Sequence, residues 1–279
     1  MSLLFLIIIF TALGGVLSVF AASLFLLLPE QRRKRVLPHG ISFATGALLA
    51  VSFLGLIPHA FEAVDSHQIQ SLSATILSGL LGFFVLEKLL IWRHCHSGHC
   101  EAHVQQDADH SHKTAGTLII IGDSIHNFVD GILIAAAFLT DVKLGIVTSL
   151  AVAAHEIPQE VGDFAILLQS GYSKTKALLY NVLASCTTVI GGILAYYGLE
   201  DLHDSLPYFL ALAASSFIYI AVADLIPTLH KKTEIKDSFK QIVLIVAGVL
   251  LIYALQKFAH GEMGEYSGHS DSLVQRHVD

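Results

Sequence analysis

The chain has 279 residues, of which 54% are hydrophobic and only 14% are charged, and its net charge is −7. Soluble proteins contain about 25% charged residues, because their surfaces must stay hydrated. The composition therefore predicts a polytopic membrane protein, and the negative charge argues against a nucleic-acid partner. Three cysteines are too few for a disulfide framework, and 16 histidines are unusually many.

Eight segments are long and apolar enough to cross a bilayer as helices, which takes about 20 residues each. They predict an all-α fold in a single transmembrane domain, residues 1–279, whose first helix is retained and is not a signal peptide. A histidine-rich loop at 93–114 follows the third span, and a polar tail at 261–279 follows the last. The predicted spans are 3–28, 39–61, 72–92, 115–139, 143–169, 174–199, 206–230 and 238–259.

The lysine and arginine residues predict the orientation, because cytoplasmic loops are enriched in both. Thirteen of the 16 lie in or beside the odd-numbered loops, and only Lys143, Lys257 and Arg276 lie on the other side. This distribution predicts that both termini are outside, that the loop 93–114 is cytoplasmic and that the tail 261–279 is external.

A short sequence repeat links spans two and seven. Leu-Ile-Pro occurs at 56–58 and again at 225–227, at positions that the orientation places near opposite membrane faces. This pattern is typical of an inverted repeat, here of helices 1–3 and 6–8 around helices 4–5, as in many secondary transporters. Three matching residues can also arise by chance.

Polar residues inside the predicted membrane region are concentrated in spans four and five. Ionisable groups are costly there, so a cluster of them indicates a function. His126 and Asp130 share one helix face, as do His155 and Gln159 in the next span. Imidazole and carboxylate donors suit Zn²⁺ and other first-row divalent ions. The candidate metal ligands are His126, Asn127, Asp130, His155, Glu156, Gln159 and Glu160.

Two other interpretations of these polar stripes remain open. The side chains can hydrogen-bond between helices and hold the bundle together, or they can relay protons. Pro158 favours a metal site, because it removes a backbone hydrogen bond and frees the carbonyl of Ala154. Such helix irregularities are tolerated at membrane depth where they line a cavity.

The motifs His-Asn-Phe-Val-Asp-Gly (126–131), His-Glu-Ile-Pro-Gln-Glu (155–160) and Gly-Asp-Phe-Ala (162–165) resemble those of the Zrt/Irt-like (ZIP) family of divalent-metal transporters. The sequence looks most like the branch whose fifth helix reads His-Glu-x-Pro-His-Glu, and the resemblance extends over the whole chain. It implies that Zn²⁺ enters the cytoplasm as the transported substrate, with Fe²⁺, Mn²⁺ and Cd²⁺ as further candidates. It also implies an elevator-like motion of spans one, four, five and six, and it is compatible with a homodimer.

The resemblance implies a binuclear metal centre. Gln159 departs from the branch, which has a histidine there, and an amide oxygen is a weaker, neutral ligand. Binding strength and selectivity at the first site are therefore expected to differ. The resemblance assigns His126, Asp130, His155 and Gln159 to the first metal, Asn127, Asp130 and Glu156 to the second, and Glu160 as a further member.

Other histidines and acidic residues lie near the membrane faces and in the loop 93–114. His59 and Glu62 near the outer face, and Asp224 and His230 near the inner face, are candidates for receiving and releasing the ion, although helix-end polarity explains each equally well. The loop predicts weak, exchangeable metal binding on the reducing cytoplasmic side, or alternatively a disordered tether. Its candidate ligands are His94, Cys95, His96, His99, Cys100 and His103.

A function of another class, an intramembrane zinc protease, is suggested by residues 155–159. Zincins carry His-Glu-x-x-His with the glutamate as base. The missing second histidine and the internal proline argue against it, so we expect no enzymatic activity and no organic cofactor. A metal exporter would differ only in direction. The lack of an N-terminal ectodomain favours a bacterial-type cell (inner) membrane.

Overall fold

The computed structural model describes residues 2–96, 108–199, 202–230 and 235–274, and within these ranges the regular secondary structure is entirely helical. The predicted all-α architecture is confirmed for this part of the chain. The helices form eight long segments, which keep the span numbers one to eight.

The first three spans precede the histidine-rich region. Span one consists of α1 (Leu3–Gly14) and α2 (Val16–Leu26). Span two consists of α3 (Glu30–Ala50), a π-helical segment (Val51–Leu56) and α4 (Ile57–Glu62). Span three is α5 (Ile69–His96), preceded by a 3₁₀ turn (Ser66–Gln68).

The other five spans follow it. Spans four, five and six are α6 (Ala108–Thr140), α7 (Val142–Gln169) and α8 (Lys174–Leu199). Span seven, preceded by a 3₁₀ turn (His203–Ser205), consists of α9 (Leu206–Tyr219), a π-helical segment (Ile220–Leu225) and α10 (Ile226–His230). Span eight is α11 (Ile235–Val274).

Seven of the eight spans are long and apolar enough to cross a membrane, counted over the described residues. Span five, with 28 residues in α7, falls outside this group because the polar stripe that begins at His155 lowers its mean hydropathy. The polar residues that are candidate ligands on this helix therefore also lower the hydropathy by which a membrane span is recognised.

The predicted continuous first span is interrupted at Gly15, where the backbone (φ −88°, ψ −81°) leaves the helical region. A Cβ atom on Gly15 would lie 2.6 Å from Thr188 Oγ1 and 2.7 Å from the carbonyl oxygen of Ser185. Only glycine allows α8 to approach this closely, and the adjacent glycine pair is a common site of helix bending.

Several helices continue beyond the predicted spans. α3 includes the basic segment 32–35, which was expected to be a loop, and α5 and α6 extend into both ends of the loop 93–114. α11 continues beyond the predicted end of span eight at residue 259 and into the polar tail as far as Val274. Helices satisfy their own backbone hydrogen bonds, so they do not have to stop at the membrane surface.

Spans two and seven contain the two π-helical segments, each directly before an Ile-Pro pair. The N–H of Ile57 donates to the carbonyl of Ser52, and the N–H of Ile226 donates to that of Ala221. A proline ring clashes with the carbonyl four residues earlier in a regular helix. The wider π turns accommodate Pro58 while the helix continues.

The spans pack as two groups. In the first, α6 lies along α8, and span one contacts both α7 and α8. In the second, α3 packs on α11, α5 packs on α9, and spans two and seven contact each other. Glycines permit the closest approaches: Gly131 faces the carbonyl of Thr188, and Gly46 faces that of Ile245. The groups meet along α3 with α7 and α6 with α9.

Candidate metal centre

Four side chains from spans four and five converge inside the bundle. The Nε2 atoms of His126 and His155 lie 3.4 Å apart. His126 Nε2 lies 3.3 Å from Glu156 Oε1 and 3.8 Å from Asp130 Oδ2. His155 Nε2 lies 3.3 Å from Asp130 Oδ2 and 3.5 Å from Glu156 Oε1. The two predicted stripes therefore face each other.

These separations match the edges of a tetrahedral zinc site. Zn²⁺ binds imidazole nitrogen and carboxylate oxygen at about 2.0–2.1 Å, so neighbouring donors in a tetrahedron lie about 3.3–3.4 Å apart. The five measured separations are between 3.3 and 3.8 Å. Small side-chain adjustments would bring all four donors into the first coordination shell of one ion.

The carboxylates of this four-donor cluster are buried without hydrogen bonds. Asp130 and Glu156 are fully buried, and neither oxygen of either group has a hydrogen-bond partner in the described part of the chain. An unpaired charge in a low-dielectric interior is costly, whereas a bound cation compensates it. This burial supports the prediction of a metal site more than that of residues that only link the helices, which would be hydrogen-bonded.

The imidazole of His155 is oriented for metal binding. Its Nδ1 lies 3.3 Å from the carbonyl oxygen of Ala151. A carbonyl only accepts hydrogen bonds, so Nδ1 carries the proton and the lone pair of Nε2 faces the cluster. The ring also lies against Phe217 of α9, with 6.2 Å between ring centroids.

A second cluster adjoins the first. Donor atoms of Asp123, Glu156 and Glu160 lie within 4.8 Å of one another, and all three residues are buried. Glu156 belongs to both clusters, as a bridging ligand would. Ser185 Oγ donates to Glu160 Oε1 at 2.7 Å, while Glu160 Oε2 has no hydrogen-bond partner among the described residues.

Asn127 lies between span six and the second cluster. Its amide Nδ2 donates to Asp123 Oδ1 at 2.9 Å, and its Oδ1 accepts a hydrogen bond from Thr188 Oγ1 at 2.7 Å. Asn127 was predicted as a metal ligand, which stays a prediction; in this arrangement its amide also hydrogen-bonds to the carboxylate of Asp123.

Gln159 lies half-buried, one turn beyond His155 on α7. Glu156 supplies the fourth donor of the first cluster, a position that the resemblance gives to Gln159. The site therefore has four converging donors without the amide.

Sequence reasoning did not include Asp123 among the ligands and missed the contribution of span six. Ser185 and Thr188 support the second cluster by hydrogen bonds, Ser185 directly to Glu160 and Thr188 through Asn127 to Asp123. Asn181 Nδ2 donates to the backbone carbonyl of Glu160 at 3.4 Å. These three residues follow the spacing i, i+4, i+7, which defines one helix face. This polar face in an otherwise apolar span is the sequence pattern from which the contribution of span six could have been predicted.

The predicted outer and inner pathway residues are not members of the two clusters found among the described residues. His59 is half-buried, and its Nδ1 lies 2.9 Å from the carbonyl oxygen of Gly55 in the π-helical segment. Glu62, Asp224 and His230 are exposed. Of the predicted loop ligands, His94, Cys95 and His96 form the end of α5, and His99, Cys100 and His103 lie outside the described residues.

These features define a polytopic helical membrane protein with a candidate metal centre between two of its spans. A profile of the ZIP zinc transporter family matches residues 1–109 and 92–256. The chain belongs to this family.

Curated relatives of the chain are named as zinc transporters. Over 234 residues the chain is 29% identical to zinc transporter ZIP13 of Pongo abelii, covering 78% of this chain and 66% of that protein. It is 30% identical to zinc transporter zipt-7.2 of Caenorhabditis elegans, with 77% and 57% covered. It is 28% identical to zinc transporter SLC39A7 of Mus musculus, with 86% and 68% covered. The chain thus spans between 57% and 68% of the length of these three relatives.

Proposed function

We propose that the protein transports divalent metal ions, with Zn²⁺ as the main substrate, through the centre between spans four and five and into the cytoplasm. The convergence of His126, Asp130, His155 and Glu156 supports this most strongly. Two imidazoles with two carboxylates form a donor set that Zn²⁺ prefers. Fe²⁺, Mn²⁺ and Cd²⁺ are secondary substrates, because the carboxylates also suit harder ions.

The net charge of the first cluster suits the transport of a divalent cation. Two carboxylates carry two negative charges, so binding a divalent cation neutralises the first cluster. A neutral centre crosses the low-dielectric membrane interior at a much smaller electrostatic cost than a charged one. The side chain of His126 is 23% exposed while the other three are almost fully buried, which gives the ion access at one edge.

The packing supports an elevator-like transport step. The ligands lie on spans four and five, and the residues that support them lie on span six, all within the first packing group. This group can move as a unit against spans two, three, seven and eight without dismantling the metal centre. His155 and Phe217 lie on the surface where the groups meet.

An inverted repeat of helices 1–3 and 6–8, with both termini outside, is part of the proposal. The repeat relates span two to span seven and span three to span eight. A contact between spans two and eight should therefore recur between spans seven and three, and both contacts are present. Span one packs on span five and span six packs on span four in the same way. The π-helical segments of spans two and seven also occupy matching positions.

We also propose a homodimer in the cell (inner) membrane. A groove on span three is lined by small residues, including Ser78, Gly79 and Gly82, and small residues allow close helix packing in lipid. Disulfide crosslinking of the Ser78→Cys variant in native membranes tests the dimer, and membrane fractionation tests the location.

A protease function is disfavoured by the geometry. Glu156, which would serve as the base of a zincin, is one of the four converging donors, and Gln159 stands where the motif needs a histidine. The arrangement supports ion binding without a catalytic base.

Uptake of radiolabelled zinc, cadmium, iron and manganese into proteoliposomes of fixed orientation tests the proposal. We expect zinc uptake by the wild type, loss of uptake in His126→Ala, and normal uptake in the control His67→Ala, which changes an exposed histidine in a 3₁₀ turn. Absence of metal flux in the folded wild type, or equal uptake in His126→Ala, would overturn it.

A further inference from the structure

We propose that a cleft between α3 and α11 binds the phosphate group of an anionic ligand, of the kind carried by phospholipid headgroups and by free phosphate. The cleft has a volume of about 620 Å³ and lies at the amino-terminal ends of both helices. It shares no residue with the two metal clusters, so this proposal is independent of the transport proposal.

The cleft exists because the two helices diverge. Deeper in the bundle they are in backbone contact: Gly248 faces the carbonyl of Phe43, and Gly46 faces that of Ile245. Towards Arg35 and Lys240 larger side chains separate the helices and line the open space. The narrow end is fixed by glycines, and the wide end lies at the amino-terminal ends of the two helices.

The cleft is lined by an excess of positive charge. Lys34, Arg35 and Lys240 line it, against one carboxylate among the lining residues, that of Asp237. Lys34 is paired with Glu30 at 2.5 Å and its side chain is 76% exposed. Arg35 and Lys240 are therefore the main cations available to a ligand, one from each helix.

His39 adds a directed polar group one turn beyond Arg35. Its Nδ1 lies 2.7 Å from the carbonyl oxygen of Arg35. Because that carbonyl only accepts, Nδ1 carries the hydrogen and the lone pair of Nε2 is left to accept a hydrogen bond, as from a hydroxyl group of a headgroup. The ring is half-buried and lines the cleft beside the cations.

Phosphate oxygens are complementary to the two cations, Arg35 and Lys240. The guanidinium of Arg35 can bind two oxygens at once, and the ammonium of Lys240 acts as a compact point charge. Basic pockets between membrane helices are suited to anionic headgroups, and their cations contribute about 1 kcal/mol each near a membrane surface. Because the cleft opens at the ends of two membrane spans, a lipid headgroup is the favoured source.

Native mass spectrometry of the full-length protein in detergent tests the site by titration with phosphatidylglycerol and phosphatidylcholine, with inorganic phosphate as competitor. The test variant is Arg35→Gln/Lys240→Gln. The matched control is Lys257→Gln, which removes one exposed lysine from the other half of the same helix. Asp237→Asn provides the opposite change, because it raises the net positive charge of the cleft.

We expect phosphatidylglycerol to bind the wild type more tightly than phosphatidylcholine. The double variant should lose roughly five- to tenfold in affinity for each cation removed. Lys257→Gln should leave the affinity unchanged, and Asp237→Asn should increase it. Competition by millimolar inorganic phosphate would identify free phosphate as a ligand of the same site, and its absence would identify the lipid as the source. Equal phosphatidylglycerol affinity in the wild type, the double variant and Asp237→Asn would overturn the proposal.

Discussion

Replacing Glu156 with glutamine should stabilise the metal-free protein while weakening zinc binding. Both oxygens of Glu156 are buried without a hydrogen-bond partner among the described residues, and Oε1 lies 3.3 Å from His126 Nε2. Glu156→Gln removes one of two neighbouring buried charges and introduces an amide that can hydrogen-bond to His126. Satisfying a buried polar group contributes about 1–3 kcal/mol, which corresponds to about 2–4 °C in Tm for each kcal/mol.

The effect on the zinc-bound state has the opposite sign. At a zinc concentration 100 times the dissociation constant, binding stabilises the wild type by about 2.7 kcal/mol. Loss of a buried charged ligand should weaken binding by about 100-fold or more, since even outer-shell changes cost about 10–100-fold. At the same zinc concentration the variant should then gain only about 0.4 kcal/mol.

Thermal unfolding of chelator-treated protein, with and without added zinc, measures both effects. Glu30→Gln is the matched control, because it makes the same chemical change at a side chain that is 66% exposed, where an ion pair contributes little. A zinc-dependent rise in Tm that is equal in Glu156→Gln and the wild type would refute the assignment of Glu156 as a ligand.

Three further results are expected. Gln159→His should strengthen zinc binding and shift preference away from manganese and iron, because imidazole suits zinc better than harder ions; competition uptake measures this. Thr188→Val should destabilise the protein by about 1–3 kcal/mol and weaken zinc binding, because the buried Oδ1 of Asn127 loses its donor; thermal unfolding and zinc titration measure this. Deletion of 97–111 should spare transport but change its apparent affinity or regulation, as measured by uptake at varied zinc concentrations.

Each of these expectations has a clear contrary outcome. If Gln159→His and Gln159→Ala both match the wild type in affinity and metal preference, Gln159 is not a ligand. If Thr188→Val has wild-type stability and zinc affinity, the link from span six to Asn127 is unimportant. A folded, correctly inserted 97–111 deletion variant without transport would make the loop essential.

The sequence predicted that the polar stripes of spans four and five face each other, because helix periodicity determines which residues share a face. His126 with Asp130, and His155 with the adjacent Glu156, lie at similar depths in their spans, and the structure brings their donor atoms together. Periodicity cannot predict which donors of two facing stripes meet. Glu156 therefore joins the first cluster, and Asp123 joins the second, through the packing of the helices.

Features that depend on contacts with other helices were not predictable from local pattern. The break at Gly15 follows from the close approach of span six at Thr188. The hydrogen bond from Ser185 to Glu160 joins two residues that are 25 positions apart in sequence and lie on different helices. Span lengths were underestimated for another reason. Hydrophobicity marks the part of a helix inside the bilayer, whereas α11 continues into polar sequence as far as Val274.

X-ray absorption spectroscopy of the zinc-loaded protein in nanodiscs tests the central claim most directly, that two imidazoles and two carboxylates bind the substrate ion. We expect nitrogen and oxygen ligands at about 2.0–2.1 Å, with outer-shell scattering from two imidazoles that falls to one in His155→Ala. Sulfur ligands at about 2.3 Å, or an imidazole signal unchanged in His155→Ala, would contradict the assignment of the metal centre to spans four and five.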